Sequence, residues 1–341
     1  MLDTVETVTD LHDSYGVVGD SNHSQSAHST HGTTVSPGLI YIAATGRSGS
    51  TMLDLLLGGS PFVQGTGEIE QLAYGLRSRI EPCTCGRPVA SCPFWLSIQR
   101  KGAEQLGLSS EANLFESRSL RLDPSVVSPL AAQVQRLLLL LGQPAAYRAF
   151  SRIFAKRHHD AVENSLFWYD VIRRATGKPI IVDSSKNAQR MKALYMADPA
   201  CFKLIFLVRD GRGVTASEMR RKGVSMTQAA RYWVGIQRLL LRAQASIPAA
   251  CKVRIHYEEL CQAPGPTLQT ICRFVGIPYD ERFVQIRRNE AHNICGNPMR
   301  HRTTETQIVL DEQWKEQLTS ADLAVFQRIA GAVNERLGYT A

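Results

Sequence analysis

Leu39-Ile40-Tyr41-Ile42-Ala43-Ala44-Thr45-Gly46-Arg47-Ser48-Gly49-Ser50-Thr51-Met52-Leu53-Asp54-Leu55-Leu56-Leu57 is the stretch that decides the fold. Its first six residues are a continuous apolar run, the pattern of a strand buried on both faces of a parallel sheet. Its last six carry a helical apolar period. A Gly-rich turn between such a strand and a helix N-terminus is a ready anion site, because glycine lets backbone N–H groups approach the ligand and the helix dipole favours negative charge. Gly46, Arg47, Ser48, Gly49, Ser50 and Thr51 are the candidate ligands. The bland alternative is a tight turn with incidental hydroxyls.

The nucleotide-triphosphate loop G-x-x-x-x-G-K-[ST] is the nearest comparison. Gly49 and Thr51 match it, but Ser50 stands at the lysine position and Ala44 at the first glycine. Arg47 lies inside the loop instead, suited to a two-pronged hold on one anionic group.

Working outward, strand candidates at 179–182, 202–208 and 252–256 each precede polar turn residues and a helical period. This strand–helix alternation predicts an α/β fold with a doubly wound sheet. Residues 80–176 read as a helical insertion, with long helical segments at 130–141 and 147–176; the run Leu137-Leu138-Leu139-Leu140-Leu141 reads as helix core. A further helix is expected at 320–337. Residues 1–36 read as a disordered tail, since the stretch from Ser21 to Ser36 offers little apolar surface to offset its ordering entropy. Residues 37–341 then form a single domain.

Charge narrows the partner. The 341 residues carry 39 Lys and Arg against 31 Asp and Glu, a net +8, and the first 36 residues hold five of the acids and no cation. So basic a body predicts an anionic partner. No run approaches the roughly 18 apolar residues of a membrane span. No basic stretch interleaved with aromatics points to nucleic acid. Eight cysteines are too few for a disulfide scaffold, and no secretory signal is evident, so a cytoplasmic setting is expected. Oligomeric state is not legible.

A second constellation follows the run at 202–208. Arg209-Asp210-Gly211-Arg212 opens a helix on which Gly213, Ser217 and Arg220 or Arg221 share a face. A strand-end Arg with a helix Ser can hold another phosphate; a solvated basic helix capped by Asp210 is the alternative. Together the two motifs resemble the sulfotransferases that use 3′-phosphoadenosine 5′-phosphosulfate (PAPS), with Arg47-Ser48-Gly49-Ser50-Thr51 similar to the 5′-phosphosulfate loop and Arg209 with Ser217 similar to the 3′-phosphate motif. The resemblance spans about residues 38–300 and is nearest to bacterial members and the tyrosylprotein branch. It implies a P-loop-like parallel sheet flanked by helices, PAPS as sulfuryl donor, a hydroxyl-bearing acceptor and PAP as product.

Sulfuryl transfer needs an activated hydroxyl, in-line geometry and neutralised charge on the leaving phosphate, and side chains can do the last without a metal. The resemblance implies Glu68, in Gly67-Glu68, as the base, with Glu70 as rival; a helix-start acid serving only the dipole explains either. It implies that Lys186 and Arg47 act on the leaving group, and that Tyr257 and Arg300 belong to the nucleotide site. The competing reading is a P-loop kinase or NTPase, for which Ile180-Ile181-Val182-Asp183 resembles a strand whose Asp holds Mg²⁺. Cys83, Cys85 and Cys92 leave three readings open: plain structural thiols, a disulfide, or three zinc ligands with no evident fourth.

Overall fold

The computed structural model describes residues 38–78, 80–108, 114–122, 143–286, 288–301 and 308–340, together with 130, 133, 134, 137 and 138. The expected tail, and most of the expected helix at 130–141, lie outside these residues. Five strands, β1 (Gly38–Ala43), β2 (Val63–Gly65), β3 (Ile180–Asp183), β4 (Phe202–Val208) and β5 (Lys252–His256), form one sheet in the order β2-β3-β1-β4-β5. Every pairing is parallel. The expected α/β class and strand runs are those found.

Strand alternation explains the two helical layers. Leu39, Tyr41 and Ala43 of β1 join one core cluster; Ile40, Ile42 and the following Ala44 join the other. A strand whose successive side chains are all apolar must be covered on both faces. Helices Ser50–Gly58 and Pro264–Val275 cover the second face. Helices Pro93–Gln105, Lys156–Thr176, Ala188–Ala197, Met226–Ala243 and Ser320–Arg336 carry the core of the first.

The segment expected as one helix over 147–176 is two, Pro144–Phe154 and Lys156–Thr176. The break is at the buried Ala155, at φ −141° and ψ 51°. Its cause is a contact across the elbow, where the Tyr147 hydroxyl meets His158 Nε2. An unbroken helix would hold positions 11 apart about 16 Å from each other, so the chain must turn for that pair to meet. Of the leucine run, Leu138 packs on the core and Leu137 is exposed. Among the described residues no helix is long and apolar enough to cross a membrane.

β1 occupies the middle of the sheet, between β3 and β4, and the chain crosses it to reach β4. The C-terminal edge at such a reversal of strand order is where open α/β sheets hold ligands.

Candidate active site

A cavity of about 420 Å³ opens at that edge, within the roughly 300–1,000 Å³ typical of small-molecule sites. Gly46, Arg47, Gly49, Ser50 and Thr51 line it together with Glu68, Lys186, Arg221, Lys222 and Gly296–Met299. The loop after β1 is left-handed at Arg47 (φ 67°) and Gly49 (φ 85°). Gly49 precedes helix Ser50–Gly58 without any side-chain cap, which leaves the first N–H groups of the helix for a ligand. Ser48 does not reach the cavity; its hydroxyl is buried 2.8 Å from that of Thr45. A Cβ at Gly49 would lie 2.6 Å from the Tyr257 ring, so the loop rests directly on that ring. The Arg209 guanidinium lies over the Tyr257 ring, 4.4 Å from its centroid.

The two motifs read separately in the sequence are one hydrogen-bonded unit. Arg47 Nε donates to Ser217 Oγ at 2.8 Å, and Arg209 Nη1 donates to the Arg47 carbonyl at 2.9 Å. Arg209 is buried and pairs with Asp311 at 3.1 Å, also donating to its carbonyl at 2.6 Å. It braces the loop rather than facing the cavity. The helix cations that do face it are Arg221, one turn beyond Ser217, and Lys222; Arg220 turns instead to Gln313 and Gln317. Helical spacing from Ser217 points to Arg221, whereas no sequence signal marked Lys222. Burial, then the charge of Arg221, with Arg209 and Arg220 behind it, pushes the Arg47 pKa down, and Glu218 only partly offsets this. The site holds an excess of positive charge.

Also in the cavity lining, Lys186 Nζ donates to Glu68 Oε1. Both positions are tightly set. Glu68 N–H donates to the Ile294 carbonyl at 2.8 Å, and Gly67 before it has φ 71° with no room for a Cβ, which would lie 2.4 Å from that same oxygen. Ser184 N–H donates to the Gly67 carbonyl at 2.9 Å. Beneath them the buried Asp54 accepts from Ser184 Oγ (2.6 Å), Gly67 N–H (3.1 Å) and Asn293 Nδ2 (2.5 Å). Burial pushes its carboxyl up to about 7 although these three donors pull the other way. Asp54 thus ties the loop helix to the segments bearing Glu68 and Lys186.

Arg47, Lys186 and Cys295 are the non-glycine residues with positive φ among the described residues. A left-handed non-glycine residue costs roughly 1–2 kcal/mol, and such strain concentrates at functional sites. Two of the three are cations that line the cavity, and the third adjoins its wall at Gly296.

Glu70, Asp183 and Arg300, like Ser48 and Arg209, do not line the cavity. Glu70 is buried, accepts from Asn187 Nδ2 at 3.1 Å and Leu122 N–H at 3.4 Å, and does not line the cavity. Burial raises its pKa. Asp183 is buried and fully engaged by Ser185 N–H (2.8 Å), the Tyr169 hydroxyl (2.6 Å) and Arg190 Nε (2.9 Å). Strand alternation puts it with Ile181 on the face opposite helix Ser50–Gly58. The Mg²⁺ role of the kinase reading would need that carboxylate on the other face. Thr51 Oγ1, the hydroxyl such a loop would offer a metal, accepts from Asn297 N–H at 3.0 Å. Arg300, expected at the nucleotide site, is also buried and donates to Glu81, Pro82 and Asn293.

The sulfotransferase family model matches residues 114–281. Among solved structures, the sulfotransferase domain of the Synechococcus PCC 7002 olefin synthase is 20% identical, with a TM-score of 0.54 over 91% of this chain and 98% of that one. A sulfotransferase from Mycobacterium avium is 15% identical with a TM-score of 0.45, over 89% of this chain and 77% of its own. A search of curated proteins finds no match. The strand order and the family match, which covers just under half of the chain, together support a place in the sulfotransferase family.

Proposed function

We propose that the protein moves the sulfuryl group of PAPS to a hydroxyl of an acceptor, releasing PAP. The observation that carries this reading is the single cavity that joins an uncapped, arginine-bearing loop to the Glu68–Lys186 pair. The acceptor oxygen forms a bond to sulfur as the bond from sulfur to the bridging oxygen of the 5′-phosphate breaks. Glu68 takes the acceptor proton. Lys186 and Arg47 meet the charge that develops on the leaving phosphate, as donors fixed before the reaction. Arg221 and Lys222 are the remaining cavity cations for a second phosphate, while Arg209, Ser217 and Tyr257 hold the loop in shape.

Purified protein is to be offered PAPS or Mg-ATP with a panel of hydroxyl acceptors, and the products weighed by mass spectrometry. A sulfuryl adduct with PAP release is expected from PAPS. A phosphoryl adduct from Mg-ATP with PAPS ignored would sink the reading. By calorimetry PAP should bind at least about tenfold better than AMP, since charge-assisted hydrogen bonds to a second phosphate are worth about 1.5–3 kcal/mol each.

Backbone strain yields a separate expectation at Lys186. Lys186→Ala and Lys186→Gly should both lower kcat by about 10²–10³ through the lost donor. The glycine variant should be the more stable of the two by about 0.5–1 kcal/mol, because glycine relieves the left-handed strain and gives back part of the gain as unfolded-state entropy. Chemical denaturation of the pair reads the difference, and equal stabilities would show that the conformation stores nothing.

A further inference from the structure

We propose that Cys83, Cys85, Cys92 and His292 bind one zinc ion, as a structural site that pins a wall of the cavity. The three thiols stand within ten positions of one another in sequence, while the imidazole comes from 200 residues beyond Cys92. Their ligand atoms all lie within 4.8 Å of one another.

The separations are those of a tetrahedron around one metal. Zinc takes sulfur at about 2.3 Å and imidazole nitrogen at about 2.0–2.1 Å, which sets S···S near about 3.8 Å and S···N near about 3.6 Å. Cys92 Sγ is 3.7 Å from both Cys83 Sγ and Cys85 Sγ. His292 Nδ1 is 3.5 Å from Cys92 Sγ and 3.8 Å from Cys83 Sγ. A disulfide needs sulfurs about 2.05 Å apart, and it would use two thiols while leaving the third and the imidazole without a purpose. A two-metal cluster would spread its ligands more widely than this group does. Three thiolates and one imidazole form a closed set for zinc, with no position left for substrate.

The surrounding groups hold the ligands in place. The cysteine turn is closed by Cys83 N–H donating to the Arg87 carbonyl at 2.8 Å and Gly86 N–H to the Cys83 carbonyl at 2.9 Å. Cys92 immediately precedes helix Pro93–Gln105, whose positive end favours a thiolate. The His292 ring stacks on Phe94 at 4.5 Å, and its carbonyl accepts from Trp95 Nε1 at 3.0 Å. Outer contacts of this kind orient metal ligands.

The consequence reaches the cavity through the residues after His292. Asn293 binds Asp54, and Ile294 pairs with Thr66 and Glu68 through its backbone. Gly296–Met299 then line the cavity. A metal at His292 anchors that run at its start. The site stands apart from the transfer chemistry and does not depend on the donor being PAPS.

The test is metal content. The full chain, expressed with zinc supplied and purified without chelator, should carry one zinc per chain by elemental analysis. A mercurial that caps thiols should release it. Cobalt reconstitution of the wild-type chain should give the visible bands of tetrahedral thiolate cobalt. Cys85→Ser and His292→Ala should lose the zinc, whereas Cys251→Ser should retain it. If the variants fail to fold, the wild-type stoichiometry, mercurial release and cobalt spectrum still decide. A metal-free wild-type chain, or an intact mass lower by two hydrogens and assigned to a disulfide among the three cysteines, overturns the proposal.

Discussion

Glu68→Gln is expected to cut kcat by about 10²–10⁴, the usual span for loss of a general base, and to leave PAP affinity nearly intact. The substitution preserves shape. The amide oxygen can still accept from Lys186 Nζ, which pairs with Glu68 in the cavity. What disappears is the ability to take a proton from the acceptor. The hydrogen bonds that shape the Arg47 loop run to Ser217 and Arg209 rather than to Glu68, so the loop should hold PAP as before. Glu70→Gln is the control. Its carboxyl faces Asn187 and Leu122 away from the cavity, so any effect should be on stability and not on kcat at full folding. The checks are steady-state kinetics with the best acceptor from the mass-spectrometric screen and calorimetric titration with PAP. Unchanged turnover in Glu68→Gln would remove this residue from the chemistry.

Arg190→Ala should destabilise the protein by about 3–5 kcal/mol, the cost of leaving a buried charge without its partner. Arg190 is completely buried, and its guanidinium donates to Asp183 at 2.9 Å, Tyr169 at 2.8 Å, the Leu120 carbonyl at 2.7 Å and Ser165 at 3.0 Å. Its removal strands Asp183 beneath the sheet and opens a cavity besides. Domains of this kind have only about 5–15 kcal/mol to lose. Pairing Arg190→Met with Asp183→Leu should recover much of the loss, because a well-packed apolar pair no longer needs the charge. Urea denaturation measures both, and a midpoint in Arg190→Ala equal to that of the wild type would show that the network contributes little. The kinase reading expects something else of Asp183: loss of activity in a variant that remains stable.

Much of the architecture follows from local pattern alone. β4 and β5 occupy the expected residues, and β1 and β3 differ by single positions; for β1, β3 and β4 the reason is that so apolar a run is buried between two helical layers. The loop at 45–51 is legible for the same kind of reason, since a buried strand, glycines and a helix start are consecutive in the chain. Residue types could also name Arg47, Glu68 and Lys186 as candidates. They could not say which way a side chain turns. Arg209 and Arg300 carry the same guanidinium as Arg221, yet Asp311 and the Arg47 carbonyl claim the first, and Glu81 and two carbonyls claim the second. Glu70 and Asp183 are removed from the cavity by a network whose members come from separate elements. The bend at Ala155 depends on Tyr147 meeting His158, and the fourth member of the cysteine cluster arrives from 200 residues downstream of Cys92. By itself the sequence determined the elements and the chemical repertoire, because both depend on neighbours along the chain. Only the tertiary structure decided which cations face the cavity, which acids are spent in the core and which imidazole joins the thiols, because each of those choices is settled by hydrogen-bond partners far away in sequence that folding alone brings within about 3–4 Å.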